Sequence, residues 1–311
     1  MLRVAVVGVG YLGRYHVEKY RAIEGVSLVG VADIDPAAAR RAAADFGVPC
    51  FTDHRELAGR VDAVTIAAST AAHFELARFF LERDVHVLVE KPMTRTSAEG
   101  RELTELAERR GLKLQVGHVE RFNPALVAAR ERLGDVRFIE SHRLAPFKAR
   151  GADVNVVLDL MIHDLDVVLA LTGSTPVEVS AVGVAVLTEH VDIASARIGL
   201  ANGAVANLTA SRASTAAQRK FRVFQRNQYL ALDLGEGTLR RVENEGGKLE
   251  EETFRPEKRD ALLDEVRAFV TAVRDDQPCP VTGRDGVAAL ELAEAVIADI
   301  DRRSGGRLTW G

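Results

Sequence analysis

Only two cysteines, Cys50 and Cys279, occur in 311 residues. That argues against a disulfide framework and fits a reducing, cytoplasmic setting. No apolar run reaches the roughly 18 residues that a membrane-crossing helix needs. Met1-Leu2-Arg3 leads straight into an apolar run, so no secretory leader is expected. Long basic runs are missing and the formal net charge is −4, which disfavours a nucleic-acid partner. No Cys/His cluster shows ligand spacing, and no metal is expected. Internal repeats and low-complexity tracts are absent apart from a modest alanine bias.

What is present is a soluble globular balance, 47% hydrophobic and 28% charged. The length permits two ordinary domains or one large one. Residues 3–117 alternate between short apolar runs (4–7, 28–32, 63–67, 86–89 and 114–116) and helical patterns, among them 36–46, 71–82 and 97–110, the last capped by Thr96 or Ser97. Short, bounded, valine-rich strands between helices predict a buried parallel sheet in a doubly wound fold. The pattern then changes. A helix is predicted at 124–133, an extended run at 136–144, an amphipathic helix at 159–171 ended by Gly173, and successive strands from 177 to about 254. Turns at Asn202-Gly203, Gly235-Glu236-Gly237 and Gly246-Gly247 imply an antiparallel sheet. Helices at 260–274 and 285–303 close the chain. The expected division is an α/β dinucleotide-binding domain over 1–120 and a second α/β domain over 121–311.

The first apolar run feeds Gly8-Val9-Gly10-Tyr11-Leu12-Gly13. A GxGxxG turn between a strand and a helix lets the backbone approach a pyrophosphate, and the helix N-terminus offers free N–H groups. The next strand ends at Asp33, followed by Ile34. A carboxylate there accepts hydrogen bonds from ribose hydroxyls and repels a 2′-phosphate, so NAD is expected over NADP. Arg40 and Arg41 nearby weaken that preference. Ser69, Thr70 and His73 follow another strand end and lie near the expected cofactor, with Thr70 a helix cap; His73 reads equally as a packing residue. Glu90-Lys91-Pro92 ends a further strand on the ligand-binding edge, and a residue before proline is held extended. Lys91 is read either as a reactive lysine or as a solvated charge.

Asp159, His163 and Asp166 are spaced i, i+4, i+7 and so share one helix face. That fits a carboxylate orienting an imidazole that moves a proton, and equally a buried Asp–His pair. Asp164 lies off this face and is expected to be solvated or capping. His118, Arg121, His142 and Arg143 follow strands. Arginine suits phosphate, which makes Arg121 and Arg143 candidate substrate anchors. The two cysteines carry no catalytic signal.

The glycine turn, Glu90-Lys91-Pro92 and Asp159-x-x-x-His163-x-x-Asp166 together resemble the Gfo/Idh/MocA oxidoreductase family over essentially the whole chain. The resemblance implies a Rossmann domain, a second domain with a large open sheet, and closing helices that return toward the first. It implies NAD or NADP and a sugar, cyclitol or nucleotide-sugar substrate. Lys91 would hold the reacting hydroxyl, His163 would take its proton and Asp159 would orient His163. Glu90 and Lys91 would also touch the cofactor. The open sheet would mediate a homodimer or homotetramer. Where the family usually has A-T-P-x-x-x-H, this chain has Ala67-Ala68-Ser69-Thr70-Ala71-Ala72-His73. Residues 116–124 and 142–147 look like a bacterial branch that includes the UDP-N-acetylglucosamine 3-dehydrogenases, whose 3-keto product an aminotransferase then uses. The alternatives are a free-sugar or inositol dehydrogenase, and a non-catalytic NAD-binding sensor or scaffold.

Overall fold

The computed structural model describes residues 1–148 and 154–305. The chain divides into two compact units, Met1–Val119 with Asp260–Val287, and Glu120–Arg259 with the chain from Ala288 onward.

In the first unit, β1 (Leu2–Val7), β2 (Val26–Ala32), β3 (Cys50–Phe51), β4 (Ala63–Ile66), β5 (His86–Glu90) and β6 (Leu114–Gly117) form one parallel sheet in the order β3-β2-β1-β4-β5-β6. Val4, Val6, Val64, Ile66, Val87 and Val89 are all fully buried. Consecutive apolar residues are what a strand covered on both faces requires. The crossovers run through α1 (Tyr11–Arg21), α2 (Pro36–Phe46), α3 (Thr70–Leu81) and α4 (Ser97–Arg110). Thr96 caps α4 in a reciprocal box with Glu99, which satisfies two backbone donors at once. Strand order reverses between β1 and β4, the switch point where such sheets bind ligands.

The second unit begins with α5 (Pro124–Arg130), shorter than the expected 124–133, and β7 (Val136–Leu144). A π-helical turn at Val157–Met161 leads into α6 (Ile162–Thr172). Next come β8 (Pro176–Val184), β9 (Ile193–Leu200), β10 (Val205–Ser211), β11 (Gln218–Gln225), β12 (Gln228–Asp233), β13 (Thr238–Glu245) and β14 (Lys248–Phe254). They form an eight-stranded sheet, β14-β13-β12-β11-β7-β10-β9-β8, antiparallel except for β7 with β10. Gly246 and Gly247, both at positive φ, join β13 to β14 in the two-residue turn that such angles favour. One sheet face supplies Ala196, Ile198, Leu208, Phe221, Val223 and Leu230 to a core shared with Leu126, Leu165 and Val168.

The expectation of one amphipathic helix over 159–171 is corrected here. The π turn begins it, with the Asn155 Oδ1 accepting the N–H groups of Val157 and Leu158. In α6 the buried residues include Asp164 and Asp166 beside Ile162, Leu165, Val167 and Val168. The helix is enclosed rather than half-solvated.

Two helices close the chain. α7 (Ala261–Arg274), capped by the Asp260 carboxylate, belongs to the first unit, where Val266, Phe269 and Val270 pack with Val17 and Tyr20 of α1. α8 (Gly283–Ser304) starts in the first unit, and its Leu292, Ala293, Val296 and Ile300 join the core of the second. Among the described residues, no helix is long and apolar enough to cross a membrane.

Candidate active site

The glycine loop in the first unit is shaped by what three absent side chains would meet. Gly8 has φ +83, and a Cβ there would lie 2.5 Å from the Ala68 nitrogen. At Gly13 a Cβ would lie 1.8 Å from the Gly8 carbonyl oxygen. These two allow the tight turn and the close packing of helix on strand. At Gly10 a Cβ would meet nothing within 4 Å. Its missing side chain leaves open the space through which a ligand reaches the backbone. Gly10 is also the N-cap of α1, makes no side-chain cap bond, and no acidic residue occupies the first turn. The helix start therefore keeps donors and positive potential for an anion. These features fit a dinucleotide pyrophosphate.

The Asp33 carboxylate braces this loop. Its Oδ2 accepts the Val9 N–H at 2.8 Å and its Oδ1 the Asp35 N–H at 2.9 Å. Each oxygen retains a lone pair for a ribose hydroxyl. Tyr11 and Ile34 are exposed, at 66% and 93%. The expected cap of α3 is corrected: Ser69 occupies the N-cap position and Thr70 opens the helix, with no side-chain cap bond.

His73 is buried, and its Nδ1 and Nε2 lie 2.9 Å from the Pro92 carbonyl and 3.1 Å from the Ala68 carbonyl. Burial holds its pKa below the usual value, against the pull of those carbonyls. The ring ties the loop after β4 to the loop after β5. Lys91, half-buried, opens the loop after β5 and is joined to Pro92 by a cis peptide. Glu90 before it is buried. Its Oε1 lies 2.7 Å from the His16 Nε2, and its Oε2 accepts the Lys91 N–H at 3.3 Å. Burial alone would raise the Glu90 pKa, but the His16 hydrogen bond and the Lys91 charge outweigh it and hold the pKa low. Gly117 makes room, because a Cβ there would lie 2.8 Å from Glu90 Oε2.

In the second unit Asp159 sits within the π turn and His163 one residue into α6. Both are half-buried, while their neighbours Met161, Ile162 and Asp164 are buried. π turns recur at functional sites, and here one carries Asp159 and leads into the helix that carries His163.

The arginines are arranged differently from expectation. Arg121 donates to both oxygens of Asp166, at 2.6 and 2.7 Å. Arg143, 5% exposed, donates to Asp164 and Glu120, with closest contacts of 2.8 and 2.9 Å. Burial would lower the Arg143 pKa, but the two carboxylates outweigh it and keep the guanidinium charged. Both candidate substrate anchors, Arg121 and Arg143, are thus paired with carboxylates. Asp164, expected to be solvated or capping, is 2% exposed and one of those partners. Asp166 faces Arg121, so the stripe it was expected to share is divided between two roles. Sequence reasoning also missed Glu120, His16 and Glu265. His16, Glu90 and Glu265 place potential metal-ligand atoms within 4.8 Å of one another among the described residues. The hydrogen bond between His16 and Glu90 already occupies one edge of that triangle. Cys50 and Cys279 are free thiols, one exposed and one buried.

Residues 2–118 match the family model described as an oxidoreductase family with an NAD-binding Rossmann fold, and residues 126–230 match the GFO/IDH/MocA C-terminal domain. The chain is 39% identical to the UDP-N-acetylglucosamine 3-dehydrogenase of Acidithiobacillus ferrooxidans, covering 97% of this chain and 99% of that protein. A crystal structure of that enzyme superposes with a TM-score of 0.92 over 97% of this chain and 98% of its own. An inositol 2-dehydrogenase of Rhizobium meliloti is 27% identical over 96% of this chain and 97% of its own. GenD2 from gentamicin A biosynthesis, solved in complex with NAD, is 26% identical with a TM-score of 0.84, covering 96% of this chain and 94% of that one.

Proposed function

Because this chain belongs to the Gfo/Idh/MocA oxidoreductase family and carries its NAD-binding Rossmann fold, we propose that it oxidises the 3-hydroxyl of UDP-N-acetylglucosamine to a ketone. The observation that carries this reading is the end-to-end similarity, at 39% identity, to a protein of that activity. The carbinol loses a hydride and a proton; bound NAD supplies the hydride acceptor. His163 takes the hydroxyl proton as general base. Asp159 orients the imidazole. Lys91 stabilises the developing alkoxide by its charge, with its backbone fixed by the Glu90 and His73 contacts described above.

One observation favours a second reading. The two arginines best suited to a diphosphate are neutralised by carboxylates, which suits an uncharged polyol, and an inositol dehydrogenase is among the relatives. A panel of UDP-sugars and free polyols, followed by NADH absorbance and product mass, separates the two. UDP-N-acetylglucosamine turning over with loss of two hydrogens supports the first reading; turnover of polyols alone replaces it with the second. Activity on neither, with NAD still bound, points to an untested substrate or a missing ketone acceptor ahead of a sensor or scaffold.

A homodimer or homotetramer through the outer face of the eight-stranded sheet belongs to the same proposal. Val182 and Val184 stand 57% and 50% exposed there, and Phe138, Phe224 and Tyr229 form a row of rings across β7, β11 and β12. An aminotransferase would consume the ketone. A cytoplasmic setting fits both the substrate and the free thiols.

A further inference from the structure

His16 has no part in the chemistry above, yet it is fully buried beside the residue that precedes Lys91. It lies on α1, three residues past the last glycine of the cofactor loop. Its Nε2 is 2.7 Å from Glu90 Oε1, and its Nδ1 makes no hydrogen bond. With no acceptor at Nδ1, the ring proton belongs on Nε2, which donates to Glu90. The other Glu90 oxygen accepts the Lys91 N–H. Glu90 is close enough to Lys91 for the ammonium charge to act on it, and His73 acts on it as well. From α7, Glu265 brings a second fully buried carboxyl group within 4.8 Å. One turn along α1 the Tyr20 hydroxyl lies 2.7 Å from Thr65 Oγ1. A second carboxyl group makes an anion at Glu90 costlier, and donated hydrogen bonds offset that cost.

We propose that His16 is a positioning residue for Lys91: through its hydrogen bond to Glu90 it holds in place the carboxylate that accepts the Lys91 N–H. The consequence for turnover rests on the reading of Lys91 as the alkoxide-stabilising group. The link itself does not, because it is measured at the lysine.

The test is competitive acetylation of the NAD-loaded protein across a pH series, with the Lys91 peptide quantified by mass spectrometry. In His16→Leu the donor is lost, Glu90 is less well held as an anion, and the Lys91 midpoint falls by about half to one pH unit, roughly a 3–10-fold rise in reactivity at fixed pH below the midpoint. His16→Gln, which keeps a nitrogen donor, restores the wild-type midpoint. Glu90→Gln lowers the midpoint alike, and adding His16→Leu to it changes nothing further, as a path through Glu90 requires. For turnover, His16→Leu lowers kcat while KM for NAD holds. An unmoved Lys91 midpoint with only a lower Tm overturns the proposal, as does a His16→Leu effect that persists in Glu90→Gln. Should His16→Leu fail to fold, an unmoved midpoint in Glu90→Gln overturns it alone. One equivalent of a divalent metal in the wild type, lost in His16→Gln, also overturns it and makes the cluster a metal site. If Lys91→Ala leaves turnover unchanged, the catalytic reading fails while the labelling result stands or falls by itself.

Discussion

Gly10 and Gly13 lie three residues apart, and the same one-methyl change at each predicts opposite defects. At Gly10, φ is −66 and ψ −153, outside the left-handed region, and a Cβ meets no protein atom within 4 Å. Alanine there meets no steric obstacle, so the fold is kept. The methyl instead occupies the space in which a pyrophosphate approaches the helix start. A hydrogen bond to a charged group is worth about 1.5–3 kcal/mol, so loss of one weakens NAD binding by roughly 10–100-fold. At Gly13 the Cβ would stand 1.8 Å from the Gly8 carbonyl oxygen, and backbone must move. Overpacking of this kind costs about 1–3 kcal/mol or more, which lowers Tm by several degrees. Calorimetric titration with NAD and thermal melts of both variants check the pair. Unchanged NAD affinity in Gly10→Ala, or a melt as low as that of Gly13→Ala, refutes the account of this loop.

Three further outcomes are expected. Lys91→Ala and His163→Ala lower kcat by about 10²–10⁴-fold, the range for a lost general base or positioned charge, while NAD titrations match wild type; steady-state kinetics with unaltered turnover in both would remove these residues from the mechanism. Arg143→Met leaves Glu120 and Asp164 buried without their common cation, a change that costs about 3–5 kcal/mol, and chemical denaturation of the variant reads it; a loss near zero would mean that the network is not holding the second unit together. Asp299 is held at a pKa of about 2, first by the Ala181 N–H and then by Arg302 and Arg303 against the effect of burial. A depressed carboxylate stabilises the fold above its unfolded pKa and loses that contribution as pH falls through the folded value. Asp299→Asn therefore melts lower than wild type at neutral pH, with the gap closing between about pH 4 and pH 2; a gap constant across that window contradicts the assignment.

The parts of this molecule that could be read in advance are those in which chemistry follows from near neighbours. Valine runs separated by helical patterns announced the parallel sheet, and the glycine turn with Asp33 announced the cofactor loop, because each depends on spacing within a few residues. The two-residue β3 carried too little pattern to be seen. The π turn at Val157–Met161 was hidden because a helical period was assumed throughout. Partners far apart in sequence were illegible for a different reason: nothing in the spacing of Arg121, Arg143 or His16 indicates that Asp166, Asp164 and Glu90 will meet them, at separations of 45, 21 and 74 residues. Isolated arginines after strands look like anion anchors until the carboxylates that bury with them are in place.

The central claim is that hydride leaves carbon 3 of UDP-N-acetylglucosamine. UDP-N-acetylglucosamine deuterated at carbon 3, incubated with the protein and NAD, tests it in a single mass measurement. The account predicts deuterium in the reduced nicotinamide and a 3-keto sugar without the label. Reduced cofactor that carries no deuterium, with the label retained on the sugar product, would contradict it.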